Sequence, residues 1–236
     1  KSNYCFRMIE SGGSELDGYE FYPTVRTSGY IPVSDTWRWY DDETNETPTV
    51  PLAAENSTPI DVGLGDILSL RVVAAEIEGA TGENIKFNLE FSEYPDFRDG
   101  GTLLTATSSC TGGTLWCYAD GAANDNDVID STVLSDADSC VAGIGDGCGL
   151  HHEASGLTSN FDHQAFARSE HEFVLQHDGA RTNTTYYFRL VDATNGAPVI
   201  ASSSYPSLVT EGGSLSFSVE GLPAGSVTEG VETDVP

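Results

Sequence analysis

The sequence predicts an all-β protein, an immunoglobulin-like or Greek-key β-sandwich with a long irregular insertion closed by disulfides and with strand-exchanging termini. Three observations predict it. Apolar and polar residues alternate with period two over several short segments, the pattern of strands with one buried face. Gly, Ser, Thr, Asn and Asp separate those segments, as turn residues do. One aromatic stretch also occurs twice. Tyr4, Phe6 and Arg7 match Tyr186, Phe188 and Arg189 at a shift of 182 residues, and Tyr22-Pro23 matches Tyr205-Pro206 at a shift of 183.

Each copy reads as two strands joined by a polar loop, with Tyr-Pro ending or edging the second strand because proline cannot donate to a ladder. Each copy is thus expected to be the last hairpin of a sandwich module, and a repeat this long implies tandem modules. Residues 1–28 form the orphan copy, the end of a module whose start lies elsewhere. Residues 29–210 form the principal sandwich. Within it, Trp37 and Trp39 alternate with Arg38 and Tyr40. Leu68, Leu70 and Val72 alternate with Ser69, Arg71 and Val73, and Ile85, Phe87, Leu89 and Phe91 with Lys86, Asn88, Glu90 and Ser92. An irregular insertion is expected over about 93–170, with a strand at 113–118 and a helical turn near 131–138. Strands resume at 171–176, and the second hairpin, 184–210, closes the module. In residues 211–236, Leu215, Phe217 and Val219 alternate with serines, as in a strand opening a further module.

The balance of 10 basic to 37 acidic residues gives a formal charge of −27. That excludes nucleic acid and anionic lipid as partners, because both need a positive surface. No apolar run approaches the roughly 20 residues of a membrane span, so direct insertion is not expected. Five cysteines stand at 5, 110, 117, 140 and 148. The glycine-rich gaps Cys110–Cys117 and Cys140–Cys148 suit small disulfide loops made in an oxidising compartment, although spacing leaves the connectivity open. Cys5 is left over, either for pairing between chains or as a buried thiol on a strand; the second is preferred.

The segments Thr36-Trp-Arg-Trp-Tyr-Asp-Asp-Glu43, Pro51-Leu-Ala-Ala-Glu-Asn56, Leu68-Ser-Leu-Arg-Val72 and Tyr186-Tyr-Phe-Arg-Leu190 resemble a module of large secreted surface proteins of candidate-phylum bacteria. His151-His-Glu-Ala-Ser-Gly156 and Glu172-Phe173 look like later parts of that module, and Ser216-Phe-Ser-Val-Glu-Gly-Leu-Pro-Ala-Gly225 like the opening of a different one. The resemblance implies a repetitive extracellular protein at the cell surface and carries no catalytic residues.

The expected function is therefore a structural subunit of an extracellular cell-surface filament or sheath, a head-to-tail homopolymer. Leu215, Phe217, Val219 and Leu222 are the donated strand, and Tyr4, Phe6 and Met8 belong to the acceptor. The alternative is a glycan- or surface-binding adhesin module in a tandem array, with Trp37, Trp39 or Trp116 as a sugar platform. A secreted hydrolase built on Ser155 or Ser169 lacks a nucleophile-elbow motif. Asp120, Asn124, Asn126 and Asp130 supply oxygens for calcium, the one candidate cofactor. All five histidines lie between 151 and 177, in no zinc-site spacing. Asn45, Asn56 and Asn183 head N-glycosylation triplets.

Overall fold

The computed structural model describes residues 2–14, 23–27, 29–104, 110, 113–123, 125–135, 148–153 and 160–213. Its elements are all strands: β1 (Asn3–Cys5), β2 (Thr24–Arg26), β3 (Pro32–Asp41), β4 (Ile67–Glu76), β5 (Gly82–Ile85), β6 (Phe87–Ser92), β7 (Thr102–Leu103), β8 (Trp116–Tyr118), β9 (His151–His152), β10 (Phe161–His163), β11 (Arg168–His177), β12 (Thr185–Asp192), β13 (Ala197–Pro198), β14 (Ile200–Ala201) and β15 (Ser207–Val209).

Two larger sheets share one hydrophobic core. The first runs β14-β3-β4-β11-β8, with β9 also on β11; the second runs β13-β12-β6-β7, with β15 also on β12. The long antiparallel register from Arg168↔Ala75 to Gln176↔Ile67 fixes the inward face of the first sheet. One residue of slip would turn every core side chain outward. Trp37, Trp39, Leu68, Leu70, Val72, Phe173 and Leu175 thus meet Phe87, Leu89, Phe91, Tyr186, Phe188 and Leu190 of the second sheet. Phe188 sits edge-on to Trp39 at 5.2 Å and to Trp116 at 5.4 Å between ring centroids, the arrangement favoured by the ring quadrupoles.

Four expectations change. The stretch 85–92 is two strands, not one: Asn84 takes a φ of 53°, and β5 leaves to pair with β10 while β6 pairs with β12. The second hairpin is not simple. Between β12 and β15 the chain crosses to the opposite sheet, where β14 lies parallel to β3. The insertion is less irregular than expected, since β8 and β9 extend the first sheet and Trp116, Tyr118 and Leu150 join the main core. No helical turn forms over 131–135; residues 136–138 lie outside the described part.

The fourth change concerns the far face of the first sheet. Ser69, Arg71, Val73, Ala75, Glu170, Glu172 and Val174 alternate with the core residues, yet all are buried. The insertion and the loop after β3 cover them. Leu134 packs on Val73, the Arg71 guanidinium donates to the Glu46 carbonyl, and the Glu170 carboxylate accepts from the Val133 and Leu134 N–H groups. Gly149 permits the close approach, because a Cβ there would overlap the Glu170 carbonyl.

Candidate functional site

The hairpin of β1 and β2 is a sheet of its own, and it repeats β12–β15 pair for pair. Asn3↔Arg26, Tyr4↔Val25 and Cys5↔Thr24 stand where Thr185↔Val209, Tyr186↔Leu208 and Tyr187↔Ser207 stand in the second copy. The Phe6 N–H donates to the Pro23 carbonyl at 2.8 Å, and the Phe188 N–H to the Pro206 carbonyl at 2.8 Å. Even the turn is shared. Gly13 (φ 86°) donates to Glu10 and Gly196 (φ 73°) to Asp192, so the extra residue of the second copy falls within this turn. Both glycines sit in the left-handed region that side chains avoid.

What differs is cover. Tyr186, Phe188, Leu190 and Leu208 are at most 1% exposed, whereas Tyr4, Phe6, Met8 and Val25, their counterparts, are 53–62% exposed. In the second copy β6 pairs along Tyr187–Asp192, and the first sheet lies across the apolar face. Cys5 is a free, exposed thiol, which overturns the expectation of a buried one: its counterpart Tyr187 lies on the face turned away from the core. The proposed donor residues Leu215, Phe217, Val219 and Leu222 lie outside the described residues.

The second notable locality is polar and buried beneath the insertion. Arg71 is 1% exposed and ion-pairs with Glu172 through Nε and with Glu170 through a terminal nitrogen at 3.0 Å. Glu172 Oε1 lies 2.9 Å from His151 Nδ1, and β9 brings His151 to β11 by parallel pairing. Glu153, 1% exposed, accepts the Gly121 N–H at Oε2, while its Oε1 has no hydrogen-bond partner. Side-chain atoms of His151, Glu153 and Glu172 lie within 4.8 Å of one another. Burial, aided by the Glu172 charge, pushes the Glu153 carboxyl up to about 7. Residues 125–127 hold this corner together: Asp125 accepts from the Glu153 N–H, Asn126 donates to the His151 carbonyl, and His151 donates to the Asp127 carbonyl.

On the core side of the same strands three of the other histidines form a chain. Tyr30 Oη meets His163 Nδ1 at 2.9 Å; His163 and His171 both meet Ser169 Oγ, and His171 Nδ1 meets His152 Nε2 at 3.1 Å. Desolvation drives His163 down to about 4 and His152 down to about 3, and holds His171 well below its ordinary value. These imidazoles are therefore neutral members of a hydrogen-bonded core.

The remaining candidates are scattered. Cys110 and Cys117 form a disulfide with a Cα–Cα distance of 5.9 Å; Cys148 is disulfide-bonded, and Cys140 lies outside the described residues. Asp120 and Asp130 are exposed, Asn126 is half-buried in a left-handed turn, and Asn124 lies outside the described residues. Asn45, Asn56 and Asn183 are exposed; Asn56 and Asn183 both take positive φ, a conformation asparagine tolerates. Trp37, Trp39 and Trp116 are at most 2% exposed, which overturns their reading as a sugar platform: their alternation places them on the core face. Ser169, at 5% exposed, is interior, and Ser155 lies outside the described residues.

Sequence reasoning missed the His151–Glu153–Glu172 group because its parts stand about twenty residues apart and meet only through β9–β11 pairing. The one available signal was the buried-strand pattern of β11 interrupted by two glutamates. Among the described residues no helix is long and apolar enough to cross a membrane. Comparison with protein families, with curated proteins and with solved structures returns no match.

Proposed function

We propose that the chain is a structural subunit of an extracellular cell-surface filament or sheath, joined head to tail by shared β-strands. One observation carries this reading: a hairpin with the pairing, turn and apolar face of the body's own closing strands stands with that face exposed. The two-sheet core fits an immunoglobulin-like or Greek-key sandwich, so the hairpin reads as the closing pair of another such body. The Cys110–Cys117 disulfide and the acidic charge of −27 support an oxidising, well-hydrated setting.

Magnitudes define the joint. Covering the exposed halves of Tyr4, Phe6, Met8 and Val25 contributes on the order of 1 kcal/mol each. That total only approaches the lower end of the roughly 4–15 kcal/mol that association costs. The side-chain face alone does not hold two molecules together, so ladder hydrogen bonds from an added strand are required. The segment with Leu215, Phe217, Val219 and Leu222 has the alternation to supply that strand.

Negative-stain imaging with light scattering tests the proposal. The intact chain is expected to form polymers. Tyr4→Asp with Phe6→Asp, or truncation after Thr210, should leave folded monomers. Polymers unaffected by both changes, or a monodisperse monomer from the intact chain, would contradict it. The shared register also favours a second arrangement, in which the hairpin closes a preceding module of one covalent tandem chain. There the isolated chain stays monomeric and docks only when a preceding module lacking its own closing hairpin is supplied.

A further inference from the structure

We infer that His151, Glu153 and Glu172 form a binding site for one divalent first-row metal ion of the zinc type, buried under the insertion. Each carboxylate has one oxygen anchored by a protein donor, Glu172 Oε2 by Arg71 and Glu153 Oε2 by the Gly121 N–H. The other oxygen of each, Oε1, is not held this way: that of Glu172 meets only the His151 ring, and that of Glu153, buried, meets no donor. Anchored outer oxygens and free inner ones are how outer hydrogen bonds orient metal ligands. An orphaned carboxylate oxygen at 1% exposure is costly unless something positive is there to face it.

Charge points the same way. When all three are ionised, Glu170, Glu172 and Glu153 set three carboxylates against the Arg71 guanidinium, an excess of two negative charges in a buried cluster. One divalent cation cancels them. The donors choose the ion: one imidazole nitrogen with two carboxylates suits zinc and its neighbours, whereas calcium and magnesium favour all-oxygen shells. A spread of up to 4.8 Å must close by about 1 Å to meet zinc distances of about 2.0–2.2 Å, and the Glu153 side chain is free at the oxygen that moves. A pocket of about 10 Å³ beside Glu172, lined by Asp41, Asp42, Glu43 and Ser69, has room for about one water and opens among acidic groups. Glu172 and Gly121 also line it, so a water held there would lie beside the group.

Chelator-stripped full-length chain, titrated with zinc chloride and separately with cobalt chloride, tests the inference. One ion should bind per chain, raise the melting temperature, and give cobalt a visible spectrum of a nitrogen–oxygen site. Glu153→Gln keeps an acceptor for the Gly121 N–H but removes a ligand. It should weaken zinc binding by at least about 100-fold, more than the roughly 10–100-fold that loss of an outer partner costs. Asp130→Asn, at an exposed carboxylate outside the cluster, should leave binding unchanged. The inference is overturned by the absence of saturable zinc binding, by calcium binding tighter than zinc, or by Glu153→Gln binding like the unaltered chain. The cobalt spectrum of the unaltered protein decides the matter even where a variant does not fold.

Discussion

The hairpin β1–β2 and the pair β12–β15 have one register, one turn glycine and one aromatic face, but opposite surroundings. The second copy is built into one sheet and covered by the other; the first carries the same side chains into solvent. The comparison separates two properties usually found together. Strand pairing is written locally, in alternation and turn residues, and forms in both copies. Burial depends on what lies across the face, which the first copy lacks within its own chain among the described residues.

The largest way to break the comparison is Phe188→Ala. It removes a ring packed on Trp39, Phe91 and Trp116 and should cost about 3–5 kcal/mol in urea unfolding. An equally small loss would show that the second copy is not the keystone the burial implies.

Acid should act on the body and spare the hairpin. His163 is held neutral, with its value lowered from 6.5 to about 4 by burial. Below pH 6.5 the unfolded chain binds a proton that the folded one refuses, so stability falls as pH drops from about 6.5 toward 4. The loss approaches roughly 3 kcal/mol at pH 4. His163→Gln should make that part of the profile shallower in chemical denaturation, His152 and His171 keeping their own share of the slope, and an unchanged profile would remove His163 from the account.

Gly149→Ala sharpens the contrast in a different layer. The added methyl meets the Glu170 backbone and must lift the insertion off the first sheet, costing about 1–3 kcal/mol. Exposure of the Arg71 layer should then appear as faster hydrogen exchange along β11. The smallest effect is the most telling. Phe6→Ala, the counterpart of Phe188→Ala, should change the unfolding free energy of the dispersed chain by less than about 0.5 kcal/mol, yet reduce assembly.

These contrasts show what the sequence discloses. The strands around Leu68–Val72, Phe173–Leu175 and Tyr186–Leu190 were legible because each alternates, and the repeat was legible because pairing is local. The burial of Arg71, Glu170 and Glu172 was not, since a polar strand face reads the same toward water and toward a covering layer. The crossover of β14 was hidden for a related reason: two residues, Ile200 and Ala201, carry no period. The tryptophans misled as sugar platforms because aromatic type says nothing about exposure, although their alternation did. Of the buried cluster, only the residue types were visible; their convergence is tertiary.

Hydrogen–deuterium exchange of the peptide spanning residues 2–10, measured in dispersed and in assembled material, tests the central claim most directly. The account predicts rapid exchange in the dispersed chain and strong protection in the assembly, as an added strand and a covering sheet close over Tyr4, Phe6 and Met8. Equal exchange in the two samples would contradict it.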